Sequence, residues 1–600
     1  MKMAISSSVL HNGLVAVDWV RCTASVSRPT FVHAHLTPPP PPPPPPSPPP
    51  KRRSGNYQPS SWDYNKIRSL KDGCLQSEAQ IAHIAKLKEN VKQLMYKEAE
   101  PAAKLKLVDT VQRLGMAYHF EEEIQDVLDS ISIDKAKTIF KEDVLSMALL
   151  FRLLRENCFP VSQDLFSGFK EGESKFKSYL KGDTKGLLSL YEASYLAFEG
   201  EELLDEARIF AIKHLNELKP HLDPHLRGDV AHALELPLHW RAPRLETRWF
   251  IDKYGKDEQI DPIVLQLAKL DFNKVQSIHQ GELRRMSGWW RDIAFGEKLP
   301  FARDRLTECF FFATGIVYDP RLGYCREGLT KILAIITNLD DFYDIFGTLD
   351  ELVLFTNAIE RWDINAVEGL PEYMKVLYST IYNTSNEMAY ALLREGGVDA
   401  LPYLRKTWHD LCKAFLVEAK WYHNGYKPTS QENLENGWMS SSGNVILVHA
   451  ITLLREKVTK EVLQQLENYP VLVRSPSMIF RLCNDLATHT AEKKRGDAPT
   501  SIDCYMREHG STEATACEAI RDLIINTWKK INEDAFVRCR FPRSFANAAM
   551  NLGRISHCIY QDGDGIGSPD QVKKNQVRLL FLEPVAVGGS QKDFGIVGDN

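Results

Sequence analysis

Asp340-Asp341-Phe342-Tyr343-Asp344 and, further along, Asn484-Asp485-Leu486-Ala487-Thr488-His489-Thr490-Ala491-Glu492 decide how this chain is read. On an α-helix each residue turns by about 100°. Asp340 and Asp344, at i and i+4, then share one face. Asn484, Thr488 and Glu492, at i, i+4 and i+8, form one stripe. Asp341 points elsewhere on its helix and suits an orienting role, toward the other acids or an arginine. All these ligands are oxygen; none is a thiol or imidazole. Hard oxygen donors suit Mg²⁺ or Mn²⁺ rather than Zn²⁺. A few carboxylates on two helices leave coordination positions that water and a substrate phosphate commonly fill. The stripes therefore point to a diphosphate clamped between two helix walls, with Asp340, Asp344, Asn484, Thr488 and Glu492 as metal ligands.

The surroundings of both stripes carry a resemblance. Arg303-Asp304-Arg305 precedes the first, Gly347-Thr348-Leu349-Asp350-Glu351 follows it, and Arg481 stands just before the second. His239-Trp240-Arg241 lies upstream, and Arg52-Arg53 is separated from Trp62 by eight residues. Together these resemble a plant class I terpene synthase of the monoterpene subfamily over roughly residues 52–585. The resemblance implies an all-α fold of two helical domains. The first is a relict α-barrel scaffold without catalytic residues; the second is a class I terpenoid synthase α-bundle. It implies three Mg²⁺ ions, or Mn²⁺, on one diphosphate, and geranyl diphosphate as the substrate. The product would be a monoterpene, released with diphosphate from a monomeric enzyme in the plastid stroma.

Arginine presents a planar, always-charged fork to phosphate oxygens, so Arg303, Arg305 and Arg481 are candidate diphosphate donors. The resemblance puts Arg303 and Arg481 in most direct contact and joins them to Asp340 and Asp344 as the catalytic set. Asn484 is expected at the substrate as well. A carbocation needs aromatic faces and a dry pocket. Phe312 and Tyr560, the latter in Tyr560-Gln561-Asp562-Gly563-Asp564-Gly565, are the expected pocket walls. Ser440-Ser441-Ser442-Gly443-Asn444 suggests a helix break exposing backbone carbonyls. In the family the tandem arginine caps the closed site and serves isomerisation before ring closure.

Composition excludes other classes. The chain has 600 residues and a net charge of −5, with no basic field for nucleic acid. No run approaches the ~18 apolar residues of a membrane span. Eleven cysteines without C-x-x-C pairs read as free thiols in a reducing compartment. Residues 1–51 are serine-rich and acid-poor and then proline-rich, the pattern of a transit peptide and linker. Residues 52–260 read as the first helical domain and 261–600 as the second, joined near Gln259-Ile260-Asp261-Pro262. Ser194 to Leu218 reads as one helix, and Ser475-Pro476-Ser477 as the start of the helix bearing the second stripe, with Gly496 ending it.

Some positions depart from the family pattern: Asn338, Phe342, Phe346 and Ile566. None is a metal ligand. No D-x-D-D run for alkene protonation is present, and a single D-D-x-x-D argues against chain elongation. Rival readings are an isoprene synthase, disfavoured by Leu333 where that group has Phe, a sesquiterpene synthase on farnesyl diphosphate, and a non-enzymatic helical interaction protein.

Overall fold

The computed structural model describes residues 52–70, 77–172, 175–299, 301–454, 456 and 458–587. The expected transit segment and proline run lie outside them. Among the described residues the chain is helical almost throughout. The single sheet among the described residues is a pair of two-residue strands, Lys170–Glu171 against Lys175–Phe176. No described helix is long and apolar enough to cross a membrane.

One continuous apolar core runs from Ile67 to Val585. A small satellite is built around Leu187, Tyr191, Leu215 and Val230. The helix Pro262–Ile293 shows how the sequence sets such elements. Asp261 caps it by accepting from the Ile263 and Val264 N–H groups, and Pro262 occupies the first turn, where its missing N–H is not needed. It packs on the early helices Tyr64–Arg68 and Glu78–Lys97 and also on Gly323–Asp341 and Gln571–Phe581. His239 and Trp240 fasten the two halves of the chain as well. The His239 ring is 2.7 Å from Asn532 Oδ1, and Trp240 stacks on His557 at 4.7 Å.

Two helix limits differ from the sequence reading. Ser194 ends one helix and Glu202 begins the next. Gly200 between them takes a left-handed φ of 82°, a turn that continuous helix cannot accommodate. The helix of the second stripe starts at Val471, not at Ser475, and Pro476 lies inside it. Proline removes one backbone bond there. The Ser477 hydroxyl donates to the Val473 carbonyl at 2.7 Å. The expected end at Gly496 is found: its φ is 74°, and the Asp497 N–H donates to the Glu492 carbonyl at 3.1 Å, a left-handed stop.

Candidate active site

The helix Gly323–Asp341 buries Leu329, Ile332, Ile335 and Leu339 and so fixes which way its acids turn. After Asp341 the backbone widens into a π turn, Phe342–Phe346, which Gly347 closes by donating to the Phe342 carbonyl at 2.8 Å. π turns are uncommon and gather at functional sites. Asp344 sits in this turn. Phe342 is fully buried against Phe355 and Tyr343, so the aromatic replacement there packs the turn from behind.

Arg303 reaches this helix end from the loop before Leu306. Its Nη2 lies 2.7 Å from Asp340 Oδ2 and its Nε 3.1 Å from Asp341 Oδ2. Its guanidinium covers the Tyr57 ring at 4.6 Å. Asp341 is buried, and that burial pushes its carboxyl up to about 7 despite Arg303. Asp341 thus holds the arginine, in keeping with an orienting role.

The facing helix, Val471–Arg495, carries Asn484, Thr488 and Glu492. The Thr488 hydroxyl donates to the Asn484 carbonyl at 2.8 Å, which leaves its oxygen lone pairs for another partner. Asp485 is fully buried and structural: it accepts from the Ser501 N–H at 2.9 Å and pairs with Arg481 Nε at 2.9 Å. Arg481 also meets Glu418 at 3.2 Å and the Ser440 hydroxyl at 3.4 Å. Gly437 makes room for it; a methyl there would sit 3.1 Å from Arg481 Cγ.

Carboxylates from both walls converge. Asp344 is exposed on the π turn, yet desolvation by the walls around it first, and the like charges of Asp340, Glu418, Asp497 and Glu492 second, raise it well above the carboxylate range. Burial likewise pushes Glu492 up to about 7. Among the described residues neither Asp344 nor Glu492 has a cationic side chain in ion-pair range. Acids gathered this way without a counter-charge are costly. Divalent cations with oxygen preference fit the donor set, and no thiol or imidazole competes.

Beyond the acids lies an aromatic row. Phe312 is fully buried, its ring 5.4 Å from Phe480, and Phe480 is 6.0 Å from Tyr560. The Tyr560 hydroxyl faces Asn484, Asp564 and Asp340, and burial raises its ionisation well above the phenol range. The expected helix break is present: one helix ends at Ser440, the next begins at Gly443, and Ser442 between them has a φ of 67°. At Gly443 the two helices approach so closely that a methyl would stand 2.9 Å from Ser477 Cα.

The N-terminal residues 52–64 lie on this second half of the chain. Arg52 forks onto Glu351 at 2.9 and 3.0 Å and donates to the Phe346 carbonyl at 2.9 Å. Arg53 donates to the Asp344 carbonyl at 3.2 Å and to Asp497 at 2.7 Å. Trp62 Nε1 donates to Glu308 at 2.9 Å, and the Tyr64 hydroxyl to Asp304 at 2.5 Å. Arg305 completes the clasp. It is buried, and its donors go to the carbonyls of Gln58, Asp304, Ile566 and Gly567 at 2.7–3.1 Å. The structure therefore places Arg305 as a fastener of two segments and turns it away from the acids that Arg303 faces.

Five neighbours of the site were not singled out from sequence: Tyr57, Glu418, Phe480, Asp497 and Asp564. Glu418 carried a signal, a lone acid in the apolar run Ala414-Phe415-Leu416-Val417 of a long helix. Asp497 follows the glycine stop, and Asp564 lies in the Gly-Asp-Gly turn, where it accepts from the Ile566 and Gly567 N–H groups. Tyr57 carried none.

Comparison with known proteins agrees with this geometry. Residues 291–530 match the terpene synthase family, metal binding domain. Residues 61–234 match the terpene synthase, N-terminal domain. The chain is 49% identical over 532 residues to alpha-thujene synthase TPS3, chloroplastic, from Litsea cubeba, covering 89% of this chain and 91% of that protein. Its fold is similar to that of limonene synthase crystallised with 2-fluorolinalyl diphosphate, with a TM-score of 0.86 and 41% identity, covering 89% of this chain and all of that one. It is similar also to isoprene synthase from grey poplar leaves in complex with three Mg²⁺ ions and dimethylallyl-S-thiolodiphosphate, at a TM-score of 0.81 and 45% identity, covering 88% of this chain and 99% of that one.

Proposed function

This chain belongs to the terpene synthase family, and we propose that it ionises geranyl diphosphate and converts the resulting carbocation to a monoterpene. One observation carries the reading. Two oxygen-ligand stripes on separate helices face each other, each with its own arginine, beside a buried aromatic row. The relatives named for thujene and limonene support the ten-carbon substrate.

In this reading Asp340 and Asp344 hold metal on one wall, and Asn484, Thr488 and Glu492 hold it on the other. Mg²⁺ or Mn²⁺ suits these donors, in the number of three seen in the isoprene synthase complex. When bound, such ions draw charge from the departing diphosphate and so lower the barrier to breaking the carbon–oxygen bond. Arg303 and Arg481 donate to the same oxygens from opposite sides, preset by Asp341 and Asp485. The faces of Phe312, Phe480 and Tyr560 stabilise the allylic cation. Residues 52–64 keep water from it, held in place by Glu351, Asp497 and Arg305.

Residues 52–260 carry none of the metal ligands and serve as the non-catalytic scaffold, with only their first residues folding over the site, and 261–600 form the catalytic domain of a monomer. The protein acts in the plastid, as the chloroplastic naming of the thujene synthase supports. Incubation with dimethylallyl, geranyl and farnesyl diphosphates in turn, each with Mg²⁺, and gas chromatography of the extracts test the substrate. A monoterpene from geranyl diphosphate is expected as the main turnover. Faster turnover of either other substrate contradicts the proposal.

A further inference from the structure

A second cleft, of ≈1160 Å³, opens on the other end of the helices Leu306–Ile316 and Arg543–Tyr560, where they meet residues from 112–157 and 238–247. Seven arginines line it, and most are paired. Arg113 meets Glu246 at 2.7 Å, Arg152 meets Asp109 at 2.5 Å, Arg241 meets Glu235 at 3.6 Å, and Arg321 meets Asp319 at 2.6 Å.

Three are not. Among the described residues Arg244, Arg543 and Arg554 have no carboxylate within ion-pair distance. Arg244 is 5% exposed; it packs over Phe272 at 4.5 Å, its Nε has no hydrogen-bond partner, and one Nη reaches the Phe272 carbonyl only at 3.5 Å. Arg554 donates to the His239 carbonyl at 2.8 Å and to Asn551 Oδ1 at 2.9 Å, both neutral. Arg543, at the rim, donates to the Glu156 carbonyl and the Cys158 sulfur. Tyr318 lines the same cleft, and the three guanidiniums act on its phenol together with the Asp319 carboxylate, which Arg321 holds.

A buried guanidinium without an anion is unfavourable. Three in one cleft, Arg244 buried, Arg554 half-buried and Arg543 at the rim, make a site for oxygens with charge and several lone pairs, which phosphate supplies in the geometry of the guanidinium fork. Burial lowers both Arg244 and Arg554 from the ordinary arginine range and outweighs the opposing carboxylates of Asp271 and Glu156, neither of which lies within ion-pair distance.

We propose that this cleft binds a small phosphate anion, orthophosphate or diphosphate, held by Arg244, Arg543 and Arg554 with Tyr318. The site is separate from the acidic helices and does not use their metal. The test is calorimetric titration of each anion into the full chain in EDTA, so that metal-dependent binding at the acidic helices is absent. One anion per chain is expected. Arg543→Gln, at the exposed rim where folding is not at stake, weakens binding tenfold or more, and Arg244→Gln does the same. Arg303→Gln, at the other site, leaves it within twofold. Tighter diphosphate than orthophosphate identifies the reaction's own product as the ligand; the reverse identifies free phosphate. No binding of either anion, or binding lost in Arg303→Gln and kept in Arg543→Gln, overturns the proposal.

Discussion

Arg53 Nη2 lies 2.7 Å from Asp497 Oδ1, so the first described residues are tied to the residue that follows the second acidic helix. The same guanidinium donates to the Asp344 carbonyl at 3.2 Å. One side chain thereby spans both acidic walls without being a ligand in either. Its partner Arg52 is forked onto Glu351 and lies over Phe346 at 4.2 Å.

This bridge separates closure from ionisation. The trans double bond of geranyl diphosphate must isomerise, through a linalyl intermediate, before a six-membered ring can close, and the ion pair must stay dry meanwhile. Arg53→Ala should cut turnover of geranyl diphosphate about tenfold, the cost of one charge-assisted hydrogen bond. Turnover of linalyl diphosphate should fall much less. Steady-state rates on both substrates check this, and equal losses would mean a general closure defect.

The acids themselves should behave differently. Asp340→Ala and Glu492→Ala should each lower turnover by about 10²-fold or more, as loss of charge stabilisation at a leaving group does. Far-ultraviolet circular dichroism should stay unchanged, because neither side chain belongs to the apolar core. Near wild-type rates at saturating Mg²⁺ would remove the metal-ligand assignment.

A pH effect follows from Glu492, which burial raises from 4.5 to about 7 in the folded chain. In the metal-free protein the folded state takes up this proton as pH falls through 7, whereas the unfolded chain waits until about 4.5. Folding therefore gains stability from this group as pH falls across that window. Glu492→Gln lacks the effect. In EDTA the variant should be more stable than wild type at pH 8, by about 1–3 kcal/mol. The difference should shrink by pH 5. Melting temperatures at the two pH values measure it, and a gap that does not change with pH would refute the cause.

Arg305 tests the clasp. Its bonds to four carbonyls predict that Arg305→Ala loses about 2–4 kcal/mol of stability, read as a lower melting temperature without metal or substrate. An unchanged melting temperature with lost substrate affinity would return Arg305 to the diphosphate.

Much of this was legible in sequence because helices repeat on a fixed angle. The spacing of Asp340 with Asp344, and of Asn484, Thr488 and Glu492, is a local property, and so are the glycine stop at Gly496 and the break at Ser442. The fate of Arg305 was not legible. It stands two residues from Arg303 with the same chemistry, and only the path of residues 52–64 and the loop at 566–567 decides which of them faces the acids. Asp497 and Tyr57 were hidden for the same reason: their partners, Arg53 and Arg303, are hundreds of residues away. Pro476 misled in the opposite direction, since a proline near a stripe reads as a helix start and here lies inside a helix that buries Leu472, Val473 and Ile479 around it.

The central claim is that the two helices hold metal between them on one diphosphate. Anomalous diffraction from a crystal grown with Mn²⁺ and a geranyl analogue whose ionising carbon–oxygen bond is replaced by carbon–sulfur tests it most directly. The account predicts anomalous peaks against Asp340 and Asp344 and against Asn484, Thr488 and Glu492, with the diphosphate between Arg303 and Arg481. Manganese bound elsewhere, or a diphosphate seated away from these arginines, would contradict it.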